Sequence, residues 1–189
     1  LRKIVANRRR EYNEWAEANP ALALELKGYL EGVLPNIDYT AIIHKADTST
    51  RQASADVLGV LAEKVGNMIV SSADLANSDK TDGFLKKTHA FTRGDFSGAF
   101  LQAGVAELTM AAIMNGIALH GGVTCACGTF FVFSDYMKPA VRLASLMELP
   151  VKYIWTHDAF RVGEDGPTHE PVEQEAQLRL LESMDNFSG

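Results

Sequence analysis

Short apolar runs alternate along this chain with segments of helical period, and few folds accept that pattern. Asn67 to Ser72 (NMIVSS), Val123 to Cys127 and Val151 to Trp155 are too short for helices and are mostly apolar at consecutive positions. Strands apolar on both faces belong inside a parallel sheet covered on each side. Leu101 to Gly104 reads as a further short strand. Between these runs the period changes. RQASADVLGVLAEKV puts Ala53, Val57, Leu61 and Val65 on one stripe of a helix, and Glu107 to Leu119 is a second helix that stops at Gly121-Gly122. Pro139 to Met147 is a third, and Pro171 to Met184 a fourth with proline in its first turn. The expected fold is α/β, a three-layer α/β/α domain with a mostly parallel sheet.

Residues 1–47 read differently. Trp15, Leu22, Leu24, Leu26 and Leu30 stand among charges and Pro20 separates two helices, the pattern of a helical linker arm, so the domain itself is expected over 48–189. A hydrophobic fraction of 47% with 22% charged residues is a globular balance, and no apolar stretch reaches the length that spans a bilayer. The net charge of −6 excludes a broad nucleic-acid surface, and the basic Arg8-Arg9-Arg10 cluster, followed by acids, reads as a solvated helix face. Cys125 and Cys127 lie two apart in a strand, facing one way, where a disulfide closes no useful loop. With no secretory pattern, a cytoplasmic setting is expected. A start at Leu1 and a C-terminal NFSG without a closing strand lead to the expectation of an excised fragment, its domain cut short at the C-terminal end.

Two connections are long for this architecture: Asp74 to Gly98 and Thr156 to Glu170. The second packs His157, His169 and four acids close behind the Val151 strand, and ligands of open α/β sheets gather where strands end. No GxxxxGK[ST], GxGxxG or GxSxG is present, so nucleotide cradles and a serine nucleophile elbow are unsupported. His157, Asp165, His169 and Glu173 have ligand chemistry, but without HxxxH or HExxH spacing no protein-ligated metal is expected. Glu107 opens an otherwise almost uncharged helix; it is either a site acid or a helix-start acid satisfied by backbone amides. Phe130, Phe133 and Tyr136, three apart, form one aromatic wall on a helical turn, or ordinary core.

Taken together, STRQAS near residue 50, SADLANSD at 72–79, Gly104-Val105 with Glu107, AAIMNGIALHGG, GTFFVFSDY and THDAFRVGEDGPTHEPVEQ resemble the pyrimidine-binding middle domain of the transketolase family, in family order and spacing from about residue 48 to 178. The first 45 residues resemble the arm that leaves the preceding domain. The resemblance implies thiamine diphosphate as cofactor. Glu107 takes the place of the family's catalytic glutamate, which hydrogen-bonds N1′ of the aminopyrimidine and favours the tautomer that deprotonates thiazolium C2. Phe130, Phe133 and Tyr136 match the aromatic pocket around the pyrimidine, with Phe133 as the stacking residue. Asp74 aligns with an acid near the cofactor and the subunit interface, where an Asx turn is an equal explanation. Arg51, Ser78 and His157 match positions that hold the sugar phosphate, and Asp165 and His169 match residues that bind donor hydroxyls and assist proton movement, with His169 counted among the catalytic groups. His44, His89 and His120 match none of these.

The implied reaction moves a two-carbon ketol unit from a ketose phosphate to an aldose phosphate, as in the pentose phosphate pathway. In the family the site forms between the subunits of a homodimer: this domain holds the pyrimidine, and the diphosphate-binding domain of the partner chain holds the diphosphate with Mg or Ca. No GDG followed by asparagine is present here, so that half is absent, and a further phosphate-binding arginine is expected downstream. The family's GVREHAM reads GVAELTM, with Ala106 and Leu108 beside the glutamate, and Phe160 and Arg161 stand where smaller residues are common. The rivals are a dihydroxyacetone or deoxyxylulose phosphate synthase and a non-catalytic interaction module. THD before GEDGPTH disfavours the deoxyxylulose phosphate enzyme, and the retained Glu107, His157 and His169 disfavour the module.

Overall fold

The computed structural model describes residues 1–158, 165–181 and 183 of the chain. Two compact units emerge, Leu1–Leu34 and Pro35–Gly189. In the first, α1 (Arg2–Ala18) and α2 (Pro20–Leu30) meet at Asn19, and neither helix buries a residue. Pro20 opens α2 where a missing N–H is harmless, and the Asn19 amide donates to the Trp15 carbonyl at 2.9 Å to close α1.

The second unit is built on β1 (Met68–Ser72), β2 (Phe100–Gln102), β3 (Thr124–Phe130) and β4 (Lys152–Thr156), in spatial order β2-β1-β3-β4. Every pairing is parallel, with Ser72 opposite both Gln102 and Gly128. Alternate strand residues face opposite layers. Met68, Val70, Phe100, Ala126 and Ile154 pack with Leu58 of α3 (Thr50–Lys64) and Phe84 of α5 (Asp82–Leu85). Ile69, Leu101, Cys125, Cys127, Tyr153 and Trp155 pack with Met110 and Met114 of α6 (Glu107–His120) and with Met137 and Val141 of α7 (Ser134–Leu146). This is the three-layer α/β/α arrangement. The step from β1 to β2 runs one way across the sheet through α5, whereas the steps to β3 and β4 run the other way through α6 and α7 on the opposite face. A reversal of direction matched by a change of face is what crossovers of one hand require.

Four local expectations are revised. The buried stripe of α3 is Ala55, Leu58 and Gly59, while Ala53 and Val57 are only half-buried. Small residues cause the rotation: a Cβ at Gly83 would come within 2.3 Å of the Ala55 carbonyl oxygen, so α3 and α5 touch backbone to backbone. A count of large apolar residues cannot register such a contact. The helix expected from Pro139 begins at Ser134, with Pro139 inside it. Its missing N–H removes one helical bond, to the carbonyl four residues back. The long Asp74 to Gly98 connection contains α5 and the single turn α4 (Ala76–Asp79). The last helix, α8, spans Gln174–Leu181, starting later than Pro171; Met184 lies outside the described residues.

Cys125 and Cys127 are free, buried, and face α6 together; burial pushes both thiols above their ordinary pKa. Among the described residues no helix is long and apolar enough to cross a membrane.

The α3–α5 contact yields a paired expectation. Gly83→Ala should destabilise by about 1–3 kcal/mol, the range for overpacking. Gly116→Ala, in α6 with open space around the added methyl, should instead stabilise by about 0.4–1 kcal/mol. Melting temperatures of the two variants check the contrast, and equal shifts would contradict it.

Candidate active site

β1 and β3 are neighbours, but the chain leaves them in opposite directions, so a crevice opens beyond their C-terminal ends. Three segments converge there. Arg51 projects from the first turn of α3. The turn after β1 brings Ser78, and β4 hands on to His157, whose φ of 55° is a left-handed conformation that a non-glycine residue adopts only when its surroundings hold it.

Arg51 Nη1 donates to His157 Nε2 at 2.6 Å and to the Ser78 carbonyl at 3.4 Å. A guanidinium cannot accept, so His157 Nε2 carries no proton; the ring is neutral with its proton on Nδ1, which donates to Thr156 Oγ1 at 3.0 Å. Burial, and then the Arg51 charge, hold the His157 pKa below its ordinary value; Asp165 and Asp158 pull it up and His169 opposes them. Among the described residues Arg51 has no carboxylate partner. Its positive charge faces a neutral ring.

The aromatic residues do not sit on one helical turn. Phe130 ends β3, Phe133 closes a 3₁₀ turn (Phe131–Phe133), and Tyr136 lies in the first turn of α7. The rings still form a column: Phe130 and Phe133 stack with centroids 5.8 Å apart, and Phe133 and Tyr136 with centroids 6.2 Å apart. Phe130 also stacks on His157 at 3.7 Å, and His169 meets Phe133 edge-on at 5.4 Å. Arg51, His157, His169 and the aromatic column therefore make one continuous cluster, with Asp165 near enough to act on the His157 charge.

Glu107 stands apart from these contacts. It is the first residue of α6 and 8% exposed, and its carboxylate has no hydrogen-bond or ion-pair partner among the described residues. The backbone-amide bonds expected of a helix-start acid are not formed. Asp74 is exposed with φ of 64°, and its side chain makes no Asx-turn hydrogen bond among the described residues. Ser78 meets Arg51 through its carbonyl, while its hydroxyl lies 3.4 Å from Asn77 Oδ1. Phe160 and Arg161 lie outside the described residues. Among those described, no group of three or more His, Cys, Asp or Glu could hold a metal ion.

Two residues at this edge escaped sequence reasoning. Asp79, fully buried, accepts from Ser72 Oγ, Thr81 N and Thr81 Oγ1 at 2.7–2.9 Å. Gln174 donates to Asp135 Oδ2 and accepts from Val172 N, both at 2.9 Å, which ties the segment after His169 to α7. The signal for Asp79 was a second acid inside SADLANSD, and for Gln174 its place at the end of THDAFRVGEDGPTHEPVEQ.

The parallel sheet and the switch-point crevice, lined by stacked rings and a guanidinium, define an α/β domain. The family described as "Transketolase, pyrimidine binding domain" matches residues 46–188, and the chain belongs to that family. It is 46% identical over 177 residues to the transketolase of Bacillus subtilis, covering 92% of this chain and 26% of that protein. The transketolase of Leishmania mexicana superposes with a TM-score of 0.82 at 35% identity, over 89% of this chain and 25% of that one. A Pichia stipitis transketolase in complex with sedoheptulose-7-phosphate gives 0.84 at 37% identity, over 94% and 28%. The chain thus spans about a quarter of the length of these relatives.

The contact at the cluster's centre predicts that Arg51→Met raises the His157 pKa towards the ordinary histidine value. Because a depressed histidine favours the neutral ring when folded, its stabilising effect is complete above the unfolded pKa and is lost as pH falls towards the lower folded value. Acid sensitivity in that window should shrink in the variant. Imidazole NMR titration measures the first effect, and melting temperatures on either side of pH 6.5 the second.

Proposed function

We propose that this chain is the pyrimidine-holding part of a transketolase, a transferase that moves a two-carbon ketol unit from a ketose phosphate to an aldose phosphate. The carrying observation is the juxtaposition of a stacked aromatic column with an arginine whose charge no carboxylate neutralises among the described residues. Membership of the transketolase family supports the same reading.

Thiamine diphosphate fits the residues present. Glu107 is a buried carboxylate without a donor among the described residues, and Tyr136, 62% exposed, leaves the aromatic column open at one end. When bound, that cofactor supplies a thiazolium carbon able to add to a ketose carbonyl. The chain's own residues would do the rest. Glu107 holds a proton at N1′ of the pyrimidine, and Phe133, with Phe130 and Tyr136, fixes the ring by stacking. Arg51 and His157 grip the sugar phosphate: the imidazole nitrogen now occupies a place on the guanidinium that a phosphate oxygen would take. Asp165 and His169 receive the donor hydroxyls, His169 being held edge-on against Phe133. Ser78 and Asp74 contribute at the rim.

On this reading residues 1–47 are the arm from a diphosphate-binding domain and 48–189 the pyrimidine domain. The complete enzyme is a cytoplasmic homodimer of the pentose phosphate pathway. Mg or Ca and the diphosphate are held by the other domain of the partner subunit. The isolated chain should then neither turn over sugars nor bind thiamine diphosphate with micromolar, magnesium-dependent affinity, as calorimetry can test.

Two substitutions in the complete enzyme separate the roles. Glu107→Gln keeps the side chain's length but cannot supply the proton, so hydrogen–deuterium exchange at thiazolium C2 should slow by about 10²- to 10⁴-fold with little change in melting temperature. Unchanged exchange with a lowered melting temperature would falsify the assignment. Arg51→Ala should raise KM for phosphorylated donors by about 10- to 100-fold, the equivalent of a lost charged hydrogen bond, and spare unphosphorylated donors. An equal loss for both donor types would remove Arg51 from the phosphate site.

A further inference from the structure

We propose that Asp79 is a positioning residue for the anion-binding pair: its carboxylate fixes the turn that carries Ser78, and the Ser78 carbonyl fixes Arg51 against His157. The identity of the ligand rests on the function proposed above; the coupling itself does not.

Four bonds converge on this turn. Ser72, the last residue of β1, donates its hydroxyl to Asp79 Oδ2 at 2.7 Å and accepts from Leu75 N at 3.1 Å. Asp79 Oδ1 receives Thr81 N at 2.9 Å and Thr81 Oγ1 at 2.8 Å. Both ends of the segment from Leu75 to Thr81 are thereby tied to one serine and one carboxylate. The backbone needs that restraint, because Asp74 and Lys80, on either side of α4, hold φ values of 64° and 68°. β3 makes room for it: a Cβ at Gly128, opposite Ser72 in the ladder, would stand 3.0 Å from Asp79 Oδ2 and 2.5 Å from Thr81 Cγ2.

Asp79 is fully buried and has no cation among the described residues. Burial, outweighing the hydrogen bonds and helped by Asp82, raises its pKa above the usual carboxylate value. A carboxylate that binds its proton more readily when folded is a net burden at neutral pH, since the stability it allows is greatest below the unfolded pKa and falls as pH rises through the folded one. Ionisation of this acid therefore adds no stability at neutral pH. What it does fix is geometric: Ser78, adjacent to it in sequence, presents the carbonyl that receives Arg51 Nη1, and the same nitrogen reaches His157.

The readout is the pKa of His157, which Arg51, Asp165, Asp158 and His169 surround and whose depression includes the Arg51 charge. Signs make it decisive. Removing a negative charge can only lower a histidine pKa, whereas releasing Arg51 raises it. In the 189-residue chain, Asp79→Ala should therefore raise the His157 pKa, in the same direction as Arg51→Met. Asp79→Asn, which keeps an acceptor for Thr81, should not raise it and should leave the melting temperature unchanged or higher. Imidazole NMR of folded Asp79→Ala showing no rise, with only a lowered melting temperature, overturns the proposal. Should Asp79→Ala not fold, Ser72→Ala removes one donor to the carboxylate and the acceptor for Leu75 N, with the same two outcomes for His157. Inorganic phosphate, titrated into the wild-type chain, tests the ligand separately: no response at His157 rejects the phosphate reading, while the Asp79 coupling stands or falls on the variants alone.

Discussion

Parallel pairing of β1 with β3, Met68 to Ser72 against Thr124 to Gly128, is the constraint on which the rest depends. It places two strand ends side by side whose connections diverge, and the gap between those connections is where side chains can meet without filling the core. The pairing closes at a residue without a side chain. At Gly128 the space a Cβ would need is taken by Asp79 and Thr81, so the turn leaving β1 folds over the end of β3. Arg51, arriving from α3 on one layer, and the aromatic column, leading into α7 on the other, reach the crevice from opposite faces of the same sheet.

Electrostatics then divides the C-terminal edge of the sheet into unlike parts. At one end a guanidinium is matched to a neutral imidazole and has no carboxylate partner among the described residues. Elsewhere two carboxylates, Glu107 and Asp79, are out of water. One has no partner among the described residues; the other is saturated with hydroxyl and amide donors. Groups alike in chemistry thus differ in what they can still do: Glu107 remains open to an incoming donor, and Asp79 is committed to its turn.

Much of this was legible in the sequence wherever large side chains carry the signal. The strands near 68, 124 and 152 and the helices at 50 and 107 follow from apolar runs and periods, whereas the order β2-β1-β3-β4 does not. What was illegible is made by small residues and by backbone. Gly59, Gly83 and Ala55 rotate α3 away from its apparent stripe because they touch through main chain. Pro139 looked like a helix start, yet α7 begins earlier because the chain passes from β3 through a 3₁₀ turn directly into it. Arg51 and His157, 106 residues apart, were chosen by family resemblance, and no local pattern could have given the nitrogen-to-nitrogen contact between them. Asp79 was overlooked because an acid in a polar loop reads as solvated until a sheet is seen to close over it.

The two thiols on β3 have a use that their inertness creates. Cys127 is inaccessible and Cys125 nearly so, both under α6, and burial raises each thiol so that little thiolate exists at neutral pH. An alkylating reagent can reach them only when α6 lifts from the central strand of the sheet, an opening close to global unfolding. The rate at which they are modified would therefore time the opening of the core, giving this domain an internal clock that requires no engineered label.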